Sequence, residues 1–86
     1  MPYTVTVDRK AAKFLRALTD KSLSLRFREA IDALAENPRP PGCVKLQGGD
    51  ELYRVRVGDY RIVYQIQDAV LVVLVVQIGH RREIYR

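Results

Sequence analysis

Apolar positions recur along the chain with two different periods, and the switch between them sets the order of elements. Tyr3-Thr4-Val5-Thr6-Val7 alternates β-branched and aromatic residues with period two, the pattern of a short strand. Asp8 follows as a helix N-cap, its carboxylate placed to accept from the first unpaired backbone N–H groups. From Arg9 to Leu18 the period lengthens, and Ala11, Phe14, Leu15 and Leu18 fall on one helical face. Thr19-Asp20-Lys21-Ser22 breaks this pattern and offers Asp20 or Ser22 as the cap of a second helix. Leu23, Phe27, Ala30, Ile31 and Leu34 form the apolar stripe of that helix, with Arg26, Glu29 and Glu36 off it, and Pro38 requires it to stop. Two helices joined by a few polar residues are expected to form an antiparallel hairpin.

Asn37-Pro38-Arg39-Pro40-Pro41-Gly42 reads as a connector rather than a domain boundary, because the segment after it is too small to fold alone. Val44 to Asp50 leads through a glycine turn into three strand patterns, Leu52 to Val57, Tyr60 to Ile66 and Val70 to Gln77. Gly58-Asp59 separates the first two, the signature of a two-residue hairpin loop. Gln67-Asp68 separates the next two. The run from Val70 to Ile78 is almost wholly apolar, as in a strand covered on both faces. The expected architecture is α+β with the order β-α-α-β-β-β. An N-terminal strand and an α-helical hairpin pack on a small, mostly antiparallel sheet, and residues 1–86 form one domain.

Length and composition agree with this and exclude several classes. Eighty-six residues allow one modest core. A single cysteine, Cys43, rules out an internal disulfide, and in a Pro/Gly loop with no base beside it the thiol is read as inert. One histidine, His80, argues against a metal centre, so no metal and no cofactor is expected. The N-terminus has no basic stretch followed by an apolar one, so it does not read as a secretory signal. The longest apolar run, Ala69 to Val76, is far short of the ~20 residues that span a bilayer. A cytoplasmic address and no membrane partner are therefore expected. The net charge of +5 comes mostly from arginine, 11 against 4 lysines, and the guanidinium fork suits phosphate.

That charge has a place in the pattern. Strand side chains alternate faces, so Tyr53, Val55 and Val57 share one face while Arg54 and Arg56 share the other. With Gly58-Asp59 as the loop, Val57 lies opposite Tyr60, Arg56 opposite Arg61 and Arg54 opposite Val63. Three arginines converge on one face with no interleaved carboxylate, although exposed arginines on a sheet are often simply solvated. Directly opposed like charges destabilise a sheet, and an anionic ligand relieves them. Lysines and arginines on the helices, such as Lys13 and Arg26, read as solvated. The closing Gly79-His80-Arg81-Arg82-Glu83-Ile84-Tyr85-Arg86 adds more basic groups and a phenol. Gly79 is read there as a bend, and Ile84 and Tyr85 as residues able to pin the tail to the sheet.

Cations with a phenol, and no Ser-His-Asp set or phosphate-binding glycine loop, suit the holding of a phosphate. RNA supplies its own nucleophile, the 2′-OH. Its cleavage needs only in-line positioning, charge stabilisation at phosphorus and proton transfer.

Leu52-Tyr53-Arg54-Val55-Arg56-Val57-Gly58-Asp59-Tyr60-Arg61-Ile62-Val63-Tyr64 and the closing Gly79 to Tyr85 resemble the RelE-type toxins of bacterial toxin–antitoxin pairs, within the wider RelE/ParE family. Asn37-Pro38 at the end of the helices and Lys45-Leu46-x-Gly48 before the sheet fit as well, and the resemblance covers essentially the whole chain. It implies an endoribonuclease that cuts messenger RNA in the ribosomal A site without a metal, leaving a 2′,3′-cyclic phosphate and arresting growth. It also implies a cognate antitoxin that silences it, with operator DNA bound only by the toxin–antitoxin complex. By position, Arg54 and Arg56 match two basic active-site residues that are usually lysines, and Arg61 matches the phosphate-stabilising arginine. Arg81 matches the residue that protonates the leaving 5′-oxygen, and Tyr85 the tyrosine that stacks on substrate. Lys45, His80 and Arg82 are expected to contact RNA around this set. Arg54 is a poor general base, since arginine almost never deprotonates. The base is then Tyr85 or His80, or catalysis is chiefly electrostatic. Two alternatives stay open: a ParE-like inhibitor of DNA gyrase on the same fold, and a non-catalytic nucleic-acid-binding module.

Overall fold

The computed structural model describes residues 2–48 and 51–80. Strand β1 (Thr4–Val7) runs into α1 (Arg9–Ala17) and α2 (Lys21–Glu36). Four strands follow: β2 (Val44–Lys45), β3 (Leu52–Val57), β4 (Tyr60–Gln67) and β5 (Val72–His80). They form one sheet in the order β1-β5-β4-β3-β2, antiparallel except where β1 runs parallel to β5. The chain therefore has the expected α+β plan plus a two-residue edge strand, β2, that its pattern did not announce.

Both helices start where a carboxylate meets open backbone donors. Asp8 Oδ1 accepts from the Arg9 N–H at 2.8 Å, and Asp20 Oδ1 from the Leu23 N–H at 3.1 Å. Asp20, not Ser22, is the second cap. The helices lie over one face of the sheet, α1 against β5 and α2 against β1 and β3. Phe27, Leu34, Ile62, Tyr64, Ile66, Val73 and Val75 are buried between the layers. Phe14, Phe27 and Tyr60 join them edge to face at 5.5–5.9 Å between ring centres. Such pairs add about 0.5–1.5 kcal/mol beyond the area they bury.

Gly58 holds φ +60°, which a two-residue loop of the II′ kind demands at its first position. A Cβ there would also meet the Arg26 guanidinium at 3.3 Å. Arg26 is exposed, as expected, with its guanidinium beside the hairpin turn.

Three expectations about β5 are corrected. The helices cover it on one face only. Its other face carries half-buried Val72 and Leu74. The preceding turn is longer than Gln67-Asp68: residues 68–70 form a 3-10 turn and Leu71 takes φ 56°, so β5 starts at Val72. Gly79 is not a bend but a buried strand residue paired with Arg61. A bulge at Val76 completes the picture. Val63 pairs with Gln77 and Tyr64 with Val75, so Val76 has no opposite residue. The bulge lets Val73, Val75 and then Ile78 all face the helices although the last step is odd.

One polar cluster closes the far end of the sheet. Arg39, in the loop after α2, grips Asp68 with both terminal nitrogens at 2.9 and 3.4 Å. Its Nε donates to the Tyr53 hydroxyl at 3.2 Å, and the Tyr3 hydroxyl donates to Asp68 at 2.5 Å. The Arg39 hydrogen bonds, then that of Tyr3, hold the Asp68 carboxyl below the ordinary carboxylate value of 3.8. The Asp68 partnership raises the Tyr3 phenol in turn. Tyr64 donates to the Pro38 carbonyl at 2.8 Å, and burial raises its phenol well above the usual range.

Two outcomes follow for stability. Phe27→Ala is expected to cost about 3–5 kcal/mol in denaturant melts, and Tyr64→Phe only about 1 kcal/mol, the net worth of one hydrogen bond. Asp68 has a lowered folded pKa, so its contribution is complete above the unfolded value. It is lost as pH falls through the folded one. The destabilisation caused by Asp68→Asn, measured at about pH 6, is therefore expected to shrink steadily as the pH is lowered past the ordinary carboxylate value of 3.8.

Candidate functional site

The face of the sheet away from the helices carries the arginines. On β3 and β4 the pairs are Arg54 with Val63, Arg56 with Arg61 and Val57 with Tyr60, the register expected of the two-residue loop. The partners of Arg56 and Arg61 on this face are Gly79 on β5 and each other. In a two-residue hairpin the pair beside the closing pair is of the close-spaced kind, so the two guanidinium stems rise side by side. Gly79 has no side chain to compete with the Arg61 stem. The strand positions on this face are Val44, Leu52, Arg54, Arg56, Arg61, Val63, Gln65, Gln67, Val72, Leu74, Gln77, Gly79 and the two threonines of β1. None of these described positions is acidic.

Arg54, Arg56 and Arg61 line a cleft of about 120 Å³, walled on the other side by Gly42 and Val44. Arg56 is steadied by donation from its Nε to the Gly58 carbonyl at 2.8 Å, which fixes the stem and orients the terminal nitrogens. Arg54 and Arg61 are half-buried, and Arg56 is exposed. Arginine offers donors and no acceptor, so the cleft can bind and stabilise a tetrahedral oxyanion but cannot itself accept a proton. Among the described residues no cluster of His, Cys, Asp and Glu could hold a metal ion.

Two further expected site residues, Lys45 and His80, lie on the helix side of the sheet. Lys45 pairs with Tyr53, which places it on the helix side of the sheet, and its Nζ lies 3.5 Å from Glu51. His80 pairs with Tyr60 and meets that ring edge to face at 5.5 Å, again on the helix side. Neither joins the three arginines. Arg81, Arg82 and Tyr85 lie outside the described residues. Gly42 and Val44 are the part of the cleft that sequence reasoning missed. Pro40-Pro41-Gly42 signalled a turn, but nothing in the pattern showed that β2 would pair with β3 and bring that turn to Arg54.

Residues 5–85 match the family described as ParE toxin of type II toxin–antitoxin system, parDE. The putative toxin RelE1 of Methanocaldococcus jannaschii is 30% identical over the whole chain and 98% of its own length. The chain superposes on the archaeal RelE–RelB complex from Pyrococcus horikoshii OT3 with TM-score 0.83 and 32% identity, covering 94% of this chain and 97% of that one. This chain belongs to the RelE-type toxins of the RelE/ParE family. A second solved relative, the intact Escherichia coli RelBE toxin–antitoxin complex, gives TM-score 0.78 at 29% identity, with 91% of this chain and 95% of that one covered. The arginine cleft of this toxin is thus built on the family's shared framework, from the hairpin that also gave the clearest sequence resemblance.

Filling the cleft is expected to stabilise the toxin. Inorganic phosphate at about ten times its dissociation constant should add about 1.4 kcal/mol. Chloride at equal ionic strength should not, and Arg56→Gln should reduce the phosphate effect. Thermal melts in matched salts read all three.

Proposed function

We propose that this type II toxin is a ribosome-dependent endoribonuclease that cuts messenger RNA in the A site and so inhibits translation in the cytoplasm. The observation that carries this reading is the convergence of Arg54, Arg56 and Arg61 on one cleft free of carboxylates among its described lining. In the proposed reaction the substrate's 2′-hydroxyl gives its proton to a general base, for which Tyr85 and His80 are the candidates, its oxygen attacks the adjacent phosphorus, and the bond to the 5′-oxygen breaks. The products are a 2′,3′-cyclic phosphate and a 5′-hydroxyl. Arg54, Arg56 and Arg61 bind the scissile phosphate and stabilise the charge that builds on its oxygens. Arg81 is proposed to deliver the proton to the leaving oxygen and Tyr85 to stack on the substrate. Lys45, His80 and Arg82 add basic or titratable groups nearby, and the helix-side placement of Lys45 and His80 favours a role away from the scissile phosphate. No metal or cofactor is assigned to the reaction.

A cognate antitoxin is proposed to silence the toxin. Support comes from the solved relatives, which were determined as RelE–RelB complexes. Operator DNA is proposed to be bound by the pair and not by the toxin alone. The described helices include none long and apolar enough to cross a membrane.

The family match described as a ParE toxin favours a second reading, inhibition of DNA gyrase. Induced expression followed by primer extension on a cellular message, run beside a gyrase supercoiling assay, separates the two. Codon-phased cuts with supercoiling intact are expected. Inhibited supercoiling with uncut message would select the gyrase reading, and RNA binding with neither effect a simple binding module. Arg61→Ala and Arg81→Ala are each expected to abolish growth arrest in a folded toxin, a loss of about a hundredfold or more in cleavage rate. Full toxicity in both would remove the arginines from the active site.

A further inference from the structure

We propose that Arg39 is a positioning residue for the arginine cleft, setting the place of the Gly42–Val44 wall without touching substrate. This rests on the phosphate-binding role given to the cleft above.

The wall belongs to the loop that leaves α2, and that loop is stiff. The Cys43 N–H donates to the Pro40 carbonyl at 3.1 Å, closing a four-residue turn. Pro41 occupies its first central position and Gly42, with φ +91°, its second. This is a type II turn carrying the residues that fix it most firmly. A stiff segment passes on whatever position its root is given. Its root is Arg39, whose guanidinium grips Asp68 at 2.9 Å, donates to Tyr53 at 3.2 Å and lies 5.3 Å from the centre of the Tyr53 ring. Just before it, the Pro38 carbonyl accepts from Tyr64. Tyr53 is the chain neighbour of Arg54 and points to the opposite face of the same strand. Loop and arginines thus take their positions from one pair of strands.

The wall's other attachments are short: β2 contributes only Val44 and Lys45 to the sheet, the Leu46 N–H donates to the Leu52 carbonyl at 2.8 Å, and half-buried Cys43 packs against the core. The Arg39 and Asp68 side chains are 41% and 50% exposed, and pairs so exposed add little to global stability. The geometry of the contact, bidentate and stacked on an aromatic ring, is specific all the same. A small effect on folding with a larger one on ligand binding is the mark of positioning. Arg39 never meets the reacting atoms, so its loss should weaken binding and spare the chemical step.

The test uses the full-length toxin with Arg39→Gln, Arg39→Lys and Asp68→Asn. Message cleavage on programmed ribosomes gives KM and kcat. Titration with inorganic phosphate, followed at the Gly42 and Val44 amide resonances, gives affinity without any cleavage. Arg39→Gln and Asp68→Asn are expected to raise KM and the phosphate dissociation constant about fivefold, with kcat within about twofold. Arg39→Lys, which keeps a cation for Asp68 but neither the bidentate grip nor the ring contact, should recover only part of both. Unchanged phosphate affinity in folded Arg39→Gln and Asp68→Asn overturns the proposal. So does a loss confined to thermal stability. Two variants at the two ends of the pair guard against one failing to fold. A parent toxin that binds phosphate at Gly42 but cuts no message would retire the ribonuclease reading and leave this one to the titration.

Discussion

The two-residue turn at Gly58-Asp59 is the constraint on which the rest depends. Strand faces alternate strictly, so a loop one residue longer would send each side chain of one strand to the other side. With Gly58 at φ +60°, Val57 meets Tyr60, and the parity of both strands is set from that pair outward. Val57, Tyr53, Ile62, Tyr64 and Ile66 go to the helices and become core. Arg54, Arg56 and Arg61 have no other place than the opposite face. Core and cleft are two sides of one register, and neither can be changed without the other.

Among the described residues the helices cover one face of the sheet, and that makes the division possible. Arginines beneath a helix would lose their hydration, a cost of several kcal/mol for each uncompensated charge. On the face away from the helices Arg56 keeps its charged head in water, whereas Arg54 is half-buried and the Nε and one terminal nitrogen of Arg61 are buried. The opposed Arg56 and Arg61 still repel, which a fold selected for stability alone would not retain. The Gly58 carbonyl bound by Arg56 and the missing side chain at Gly79 reduce the crowding without removing the like charge.

Much of this was legible in the sequence because it is local. Period, caps and turn chemistry gave both helices, the Asp8 cap and the register that opposes Arg56 to Arg61. What the sequence hid is non-local or breaks alternation. The two residues of β2 are too few to show a period, so the pairing of Val44 with Arg54 could not be read, nor the helix-side placement of Lys45. His80 is the clearest case. Counting by twos from buried Val73 and Val75 puts it on the arginine face, and the bulge at Val76 reverses that count. The Arg39–Asp68 pair joins a loop read as mere connector to a turn 29 residues on, and no spacing rule reaches that far.

The chemistry of the described cleft bears on why the proposed reaction would need the ribosome. Three guanidiniums can hold a phosphate and stabilise the charge that grows on it, yet none of them takes up a proton at ordinary pH. Positioning and electrostatics are then the larger share of what this face supplies, and general-base help must come from another group or from the substrate's surroundings. Well-oriented reactants can recover about 7–11 kcal/mol of barrier from entropy settled in advance. A flexible single strand arrives without that settlement, and the three described guanidiniums address one phosphate rather than the strand on either side of it. A message already fixed in register by a large partner arrives with it. The wealth of donors and the absence of side-chain acceptors among the described lining favour, for the proposed reaction, an orientation completed at this face and made elsewhere.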